Sequence, residues 1–308
     1  ANPYADKADN NEAENINTKA VKRGETINYQ VWLDTTKFDA NNKDNIQTVG
    51  ITDNYDEAKL DVKVSDIKAY DGKTGKDVTD KFNISIANGV ITANLKDGFT
   101  KSLGDAENTQ IIDTTKFEFG RYYKFVIPAK VSDGAYDGAE IENTAAQVVN
   151  YYNPTTKKTE KPEKPTEKRV NNVPMAIQLI FGKTLNGRQL KDKEFNFVLK
   201  DEAGKVLETV QNDAKGKVTF STINYGRDDL GKTFNYTVEE VKGTDTTVTY
   251  DNMKVNVTVK VIQPSAGNQL STVISYATVG GNSYESDDRI FDNNVTPNFK
   301  PEKYVVSE

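Results

Sequence analysis

Apolar and polar residues alternate singly through most of this chain, the period of a β-strand with one face buried and the other wet. The runs TINYQVWL, DVKVSDIKAY, FNISIA, GVITANL and YYKFVIPAKV carry the pattern in the first half. FNFVLK, KVTFSTINY, MKVNVTVKVI and STVISYATV carry it in the second. Turn signals such as DG, NG, GK and ND separate the runs, and helical periodicity is hard to find. Many short strands with this punctuation predict an all-β chain of immunoglobulin-like sandwiches. At 308 residues the length predicts two tandem domains, each able to bury its own core.

The stretch NPTTKKTEKPEKPTEKRVNNVP, residues 153–174, can be an extended linker or the end of a hairpin. The hairpin is preferred. TAAQVVNYY and KRVNNVP are then its strands and KPEKPTEK its solvated loop, with a domain boundary near Pro174. The expected domains are 1–174 and 175–297, followed by a tail over 298–308.

Three apolar stripes in the second half are interrupted by a polar residue at the same parity. In FNYTVEEV, Phe234, Tyr236, Val238 and Glu240 share one face. In MAIQLIFGK, Met175, Ile177, Leu179, Phe181 and Lys183 do. In RIFDNNV, Phe291, Asn293 and Val295 do. A charge carried into a core without a partner is expensive. The plain alternative is that each polar residue sits in water at a strand end.

A lysine, an asparagine and an acid are also the parts of a spontaneous isopeptide bond. Burial lowers a lysine pKa and frees a neutral amine nucleophile. Burial raises a glutamate pKa, so a neutral acid can polarise the asparagine carbonyl and move protons. Glu240 would then promote, once, a cross-link from Lys183 to Asn293. Glu239, adjacent and out of phase, is the fallback acid.

Composition narrows the remaining options. The chain has no histidine and no cysteine, which excludes His-based triads, thiol catalysis, disulfides and His or Cys metal ligands. A net charge of −6 argues against nucleic-acid binding, and no run approaches the length of a membrane span. Paired carboxylates for glycoside hydrolysis are not gathered around an evident cleft, so a turnover enzyme is not expected. No cofactor is implied. Oxygen-rich loops at 9–15 and 39–45 lack the EF-hand spacing for Ca²⁺.

Longer motifs carry a family resemblance. GKTLNGRQLKDKEFNFVLK, FNYTVEEVKG, VTYD, VNVTVKV and IFDNNV, in that order and spacing, resemble the streptococcal pilin isopeptide-linkage domain over roughly 175–296. The resemblance implies a CnaB-like sandwich and places that family's lysine, acid and asparagine on Lys183, Glu240 and Asn293. Val295 departs from the tyrosine the family often has there.

Residues 1–174 resemble the C-terminal stalk domains of the streptococcal antigen I/II adhesins, through KAVKRGETINYQVWLD, ITDNYDEAKLDV, DGKTGKDVTDKF and IENTAAQVV followed by NNVP. This implies a variant immunoglobulin-like, CnaA-like sandwich with its own Lys–Asn isopeptide and an aspartate as the acid. The asparagine falls on Asn143, in phase with Ile141 and Ala145. The acid falls on Asp53, in phase with Val49, Ile51 and Tyr55, although Asn54 stands where the family doubles the aspartate. Asp34 is the second choice of acid. The lysine falls on Lys7, with Lys19 second.

The expectation is a structural stalk of a wall-anchored Gram-positive adhesin. It would be extracellular and monomeric, and anchored through a segment absent here, since NFKPEKYVVSE looks like an entry into further chain. A module binding a host protein or glycan, using aromatics such as Tyr151 and Tyr152, is the alternative, as is a pilus subunit.

Overall fold

The structure is a computed structural model that describes residues 2–4, 14–38, 43–166, 168–264, 267–281 and 285–296. It forms two compact units, Ala1–Pro174 and Met175–Glu308. Regular structure among the described residues is β-strand apart from short 3₁₀ turns.

The strands of the first unit are β1 (Asn2–Tyr4), β2 (Thr26–Asp34), β3 (Ile46–Tyr55), β4 (Leu60–Val62), β5 (Lys68–Asp71), β6 (Phe82–Ala87), β7 (Val90–Leu95), β8 (Thr100–Ser102), β9 (Gln110–Ile112), β10 (Tyr122–Val131), β11 (Glu140–Asn153), β12 (Lys158–Glu160), β13 (Glu163–Pro165) and β14 (Arg169–Asn172). One sheet runs β1–β2–β10, with β4 and β5 on successive stretches of β10. The other runs β11–β3–β7–β6, and β12, β13 and β14 all pair with β11. Alternation puts Tyr123, Phe125, Ile127, Ala129 and Val131 of β10 in the core, facing Val49, Ile51 and Tyr55 of β3. Phe117 stacks on Tyr123 and meets Phe82 edge-on, filling the space between the sheets.

The second unit has β15 (Met175–Ile177), β16 (Ile180–Asn186), β17 (Asn196–Asp201), β18 (Val206–Gln211), β19 (Lys217–Thr219), β20 (Ile223–Tyr225), β21 (Thr233–Glu240), β22 (Val248–Thr249), β23 (Lys254–Ile262), β24 (Ser271–Val279) and β25 (Ile290–Val295). Its sheets run β19–β16–β25–β22 and β18–β17–β21–β23–β24, with a short β15–β20 ladder beside them. β16 and β25 pair in parallel, whereas every other ladder of the unit is antiparallel. A parallel pair cannot be joined by a tight turn, so nearly the whole domain lies between these two strands.

Three segments depart from their expected form. DVKVSDIKAY is broken by a 3₁₀ turn at Val64–Asp66, because its halves pair with different parts of β10. KVTFSTINY divides into β19, on β16, and β20, on β15. The run KPEKPTEK is not wholly a solvated loop: β13 within it pairs with Ala146–Val148 of β11. Its lysines and prolines suit the edge of a sheet, where charge and a missing N–H discourage further pairing.

Candidate functional site

In the second unit, the apolar stripe of β15 and β16 stays in phase across the break between them. Met175, Leu179 and Phe181 are buried, and so is Lys183. Gly216 holds this segment close. Its backbone has φ +85°, its carbonyl accepts the Lys183 N–H at 2.6 Å, and a Cβ there would stand 2.1 Å from the Lys183 carbonyl oxygen. Only glycine fits that turn. β25 brings Asn293 alongside, with Leu185 opposite Asn293 and Lys183 opposite Phe291. From the facing sheet, β21 buries Val238 and then Glu240.

The three side chains meet. Lys183 Nζ lies 3.2 Å from Glu240 Oε2, and both side chains are fully buried. Asn293 Nδ2 donates to Glu240 Oε1 at 2.7 Å. The Phe195 ring walls the amine, with its centroid 4.7 Å from Nζ. Burial pushes the lysine pKa down and the glutamic acid pKa up, and the mutual attraction of the pair offsets each shift only in part. Both shifts favour a neutral amine beside a neutral acid. Glu240 thus contacts the Lys183 amine with one oxygen and the Asn293 amide nitrogen with the other, a placement from which a carboxyl can pass a proton between two nitrogens.

One contact differs from expectation. Glu240 does not polarise the Asn293 carbonyl. Asn293 Oδ1 instead accepts the backbone N–H of Asp251 at 2.7 Å. A backbone N–H can only donate, so it fixes the amide with its oxygen toward Asp251 and its nitrogen toward the acid. Asp251 is itself buried. Its carboxylate accepts the N–H of Met253 at 3.0 Å and that of Asp292 at 2.8 Å. The VTYD motif carries only family likeness in the sequence. Nothing in its alternation announces a contact made by a main-chain atom. A cavity of about 810 Å³, lined in part by Glu240, Tyr250 and Asp251, borders the centre.

In the first unit, Asp53 on β3 and Asn143 on β11 are buried neighbours in one sheet, with Ala145 opposite Asp53 and Tyr55 opposite Asn143. Asn143 Nδ2 donates to Asp53 Oδ1 at 2.7 Å. Burial raises the Asp53 pKa to about 7, against the lowering effect of that hydrogen bond. Asp53 Oδ2, Asn143 Oδ1 and the Tyr29 hydroxyl are buried with no hydrogen-bond partner among the described residues. The Tyr29 hydroxyl pKa is raised by burial and then by the Asp53 charge. No lysine of this unit is buried among the described residues, and Lys7 lies outside them.

The second choices fall elsewhere. Lys19 is exposed and pairs with Glu14. Asp34 caps the turn after β2, its Oδ1 accepting the Thr36 N–H at 2.8 Å, and lines a groove with Trp32, Phe38 and Tyr151. Glu239 faces the opposite side of β21, where Lys200 and Lys254 hold its pKa low. Tyr151 packs half-buried against the first core, and Tyr152 is also half-buried. Most of the loop 39–45 and of the loop 9–15 lies outside the described residues, as does the tail 298–308. Among the described residues no cluster of three or more acidic side chains could hold a metal ion.

Residues 5–163 match the family described as the cell surface antigen I/II C2 terminal domain. Residues 179–296 match the Spy0128-like isopeptide containing domain. The aggregation substance of Enterococcus faecalis is 27% identical over 154 residues, an alignment covering 44% of this chain and 11% of that protein. The chain thus spans about a tenth of that relative's length. Among solved structures, the major pilin subunit BcpA of Bacillus cereus is 19% identical with a TM-score of 0.39, covering 92% of this chain and 67% of that one. The Actinomyces fimbrial adhesin FimA is 14% identical with a TM-score of 0.32, covering 90% and 95%.

Proposed function

The chain belongs to the family of the cell surface antigen I/II C2 terminal domain, and from that premise we propose that it forms two stalk domains of a wall-anchored Gram-positive adhesin, each closed by an intramolecular Lys–Asn isopeptide bond. The families it matches are structural domains of surface proteins, not enzymes. The buried contact of Lys183, Glu240 and Asn293 carries the reading.

In the reaction, the Lys183 proton passes to Glu240 and the neutral Nζ attacks Asn293 Cγ. A C–N bond forms, and the carbonyl electron pair moves onto Oδ1. Glu240 takes a proton from the attacking nitrogen and returns one to Nδ2. The carbonyl re-forms as the Cγ–Nδ2 bond breaks and ammonia leaves. Each centre reacts once. Lys7, Asp53 and Asn143 are the proposed counterparts in the first unit. Asp53 Oδ2 and Asn143 Oδ1, without partners among the described residues, support it, since buried polar atoms call for a further polar group.

A cross-link closing a loop of a hundred residues or more, treated like a disulfide, would restrict the unfolded chain by roughly 5 kcal/mol. Under tension a bond between terminal strands carries the load, so the strands between them need not unravel. An amide, unlike a disulfide, also ignores reductants. The intact mass of the denatured protein tests the reading. Two bonds remove two ammonia molecules. Loss of one ammonia that Lys183→Ala abolishes keeps the second unit and sinks the Lys7 assignment; an unchanged mass overturns the proposal.

A further inference from the structure

We propose that the backbone N–H of Asp251 is the oxyanion donor of the Lys183–Asn293 condensation, and that the Asp251 carboxylate is the positioning group that aims it. The inference rests on the isopeptide reading of this centre. When Nζ adds to Cγ, negative charge develops on Oδ1, the atom that the Asp251 N–H already contacts at 2.7 Å. A fixed main-chain donor in a buried site stabilises that charge with little reorganisation. Glu240 is not placed for this task, because its oxygens face the two nitrogens. Acid and donor therefore divide the work: one moves protons between nitrogens, the other holds the oxygen.

The aim of the donor has a visible cause. Residues 250–253, between β22 and β23, form no ladder, so no sheet orients the Asp251 amide. Its side chain does so instead. Oδ2 accepts the N–H of Asp292, the residue before the reacting asparagine, and Oδ1 accepts the N–H of Met253. One carboxylate thus ties the donor's own segment to the strand carrying the electrophile. Any shift of β25 would carry the clamp and the Asn293 oxygen together.

The test follows formation of the Lys183–Asn293 cross-linked peptide in the full chain, sampled through a short pulse of synthesis and quenched in denaturant. Lys183→Ala supplies the folded, unlinked reference for melting and circular dichroism. Asp251→Ala removes both clamp bonds. Replacing Asp251 by its α-hydroxy acid turns the amide into an ester and removes only the donor, which decides the matter if Asp251→Ala does not fold.

Loss of one oxyanion donor is expected to slow bond formation by about 10²–10³-fold in the ester protein while it melts like the reference. Asp251→Asn, which keeps one acceptor oxygen, should fall between the wild type and Asp251→Ala. A folded ester protein that cross-links within roughly threefold of the wild-type rate overturns the donor role. Failure of the wild type to lose ammonia from this unit overturns the isopeptide reading itself, a separate result.

Discussion

The two units bury the same pair of functional groups, a carboxyl and a primary amide, and differ in how completely they satisfy them. In the second unit the acid reaches across from the facing sheet and the amide is held at both ends, by Glu240 and by the Asp251 N–H. In the first, acid and amide sit on adjacent strands of one sheet and share a single hydrogen bond. Three buried oxygens there have no partner among the described residues. A buried polar group gains from a partner, so these oxygens suit a further donor. Among the described residues the second centre is thus the more fully satisfied of the two.

The largest effect expected from breaking this comparison is at Glu240. Glu240→Gln keeps a hydrogen-bonding side chain but cannot carry a proton between the nitrogens. The denatured protein should then retain one ammonia more than the wild type. The second unit should lose on the order of 5 kcal/mol against denaturant, while any bond in the first survives. Retention of the wild-type mass would remove Glu240 from the reaction.

A somewhat smaller effect sharpens the contrast from the other side. In Lys7→Ala, which cannot link the first unit, Asp53 should titrate visibly in the stability of that unit. Burial raises its pKa from 3.8 to about 7. The folded state therefore holds the proton more tightly than the unfolded chain does. That contribution is whole below about pH 4 and is lost as the pH rises through 7, on the order of 4 kcal/mol in all. Asp53→Asn on the same background should flatten the profile between pH 4 and 8. A flat profile with the aspartate in place would show that the carboxyl is solvated. The smallest effect is expected at Glu239, on the outer side of β21. Glu239→Gln should leave the mass unchanged and cost within about 1 kcal/mol, because its lysine partners are partly exposed.

Much of this is legible in the amino-acid sequence. Strict alternation marked β10, β21, β23 and β25 as half-buried strands, and a polar residue in phase with an apolar stripe cannot leave the core without turning the stripe outward. That logic singled out Glu240, Lys183 and Asn293, with the strand-end alternative left open until the family pattern was added, while Asp53 and Asn143 rested on the family pattern first. Glu239 illustrates the same rule, since one residue of offset sends it to solvent and into ion pairs.

Alternation could not show that DVKVSDIKAY and KVTFSTINY each change partners midway. A run of β-forming residues records which face is wet, not which strand lies alongside. Nor could it show that part of the charged run 161–168 returns along β11.

Taken alone, then, the sequence determined the strand class and which polar residues share a face with the apolar stripes, because side-chain parity is a local property of an extended backbone. Tertiary structure alone decided what those groups do to one another. Glu240 faces two nitrogens rather than a carbonyl because β21 lies in the opposite sheet from β16 and β25. Asp251 enters the centre through a main-chain N–H, an atom every residue but proline possesses and no side-chain pattern can single out. The parallel pairing of β16 with β25, from opposite ends of the second unit, is what brings amine and amide together. Contacts between distant segments depend on register and topology, and a period of two residues carries information about neither.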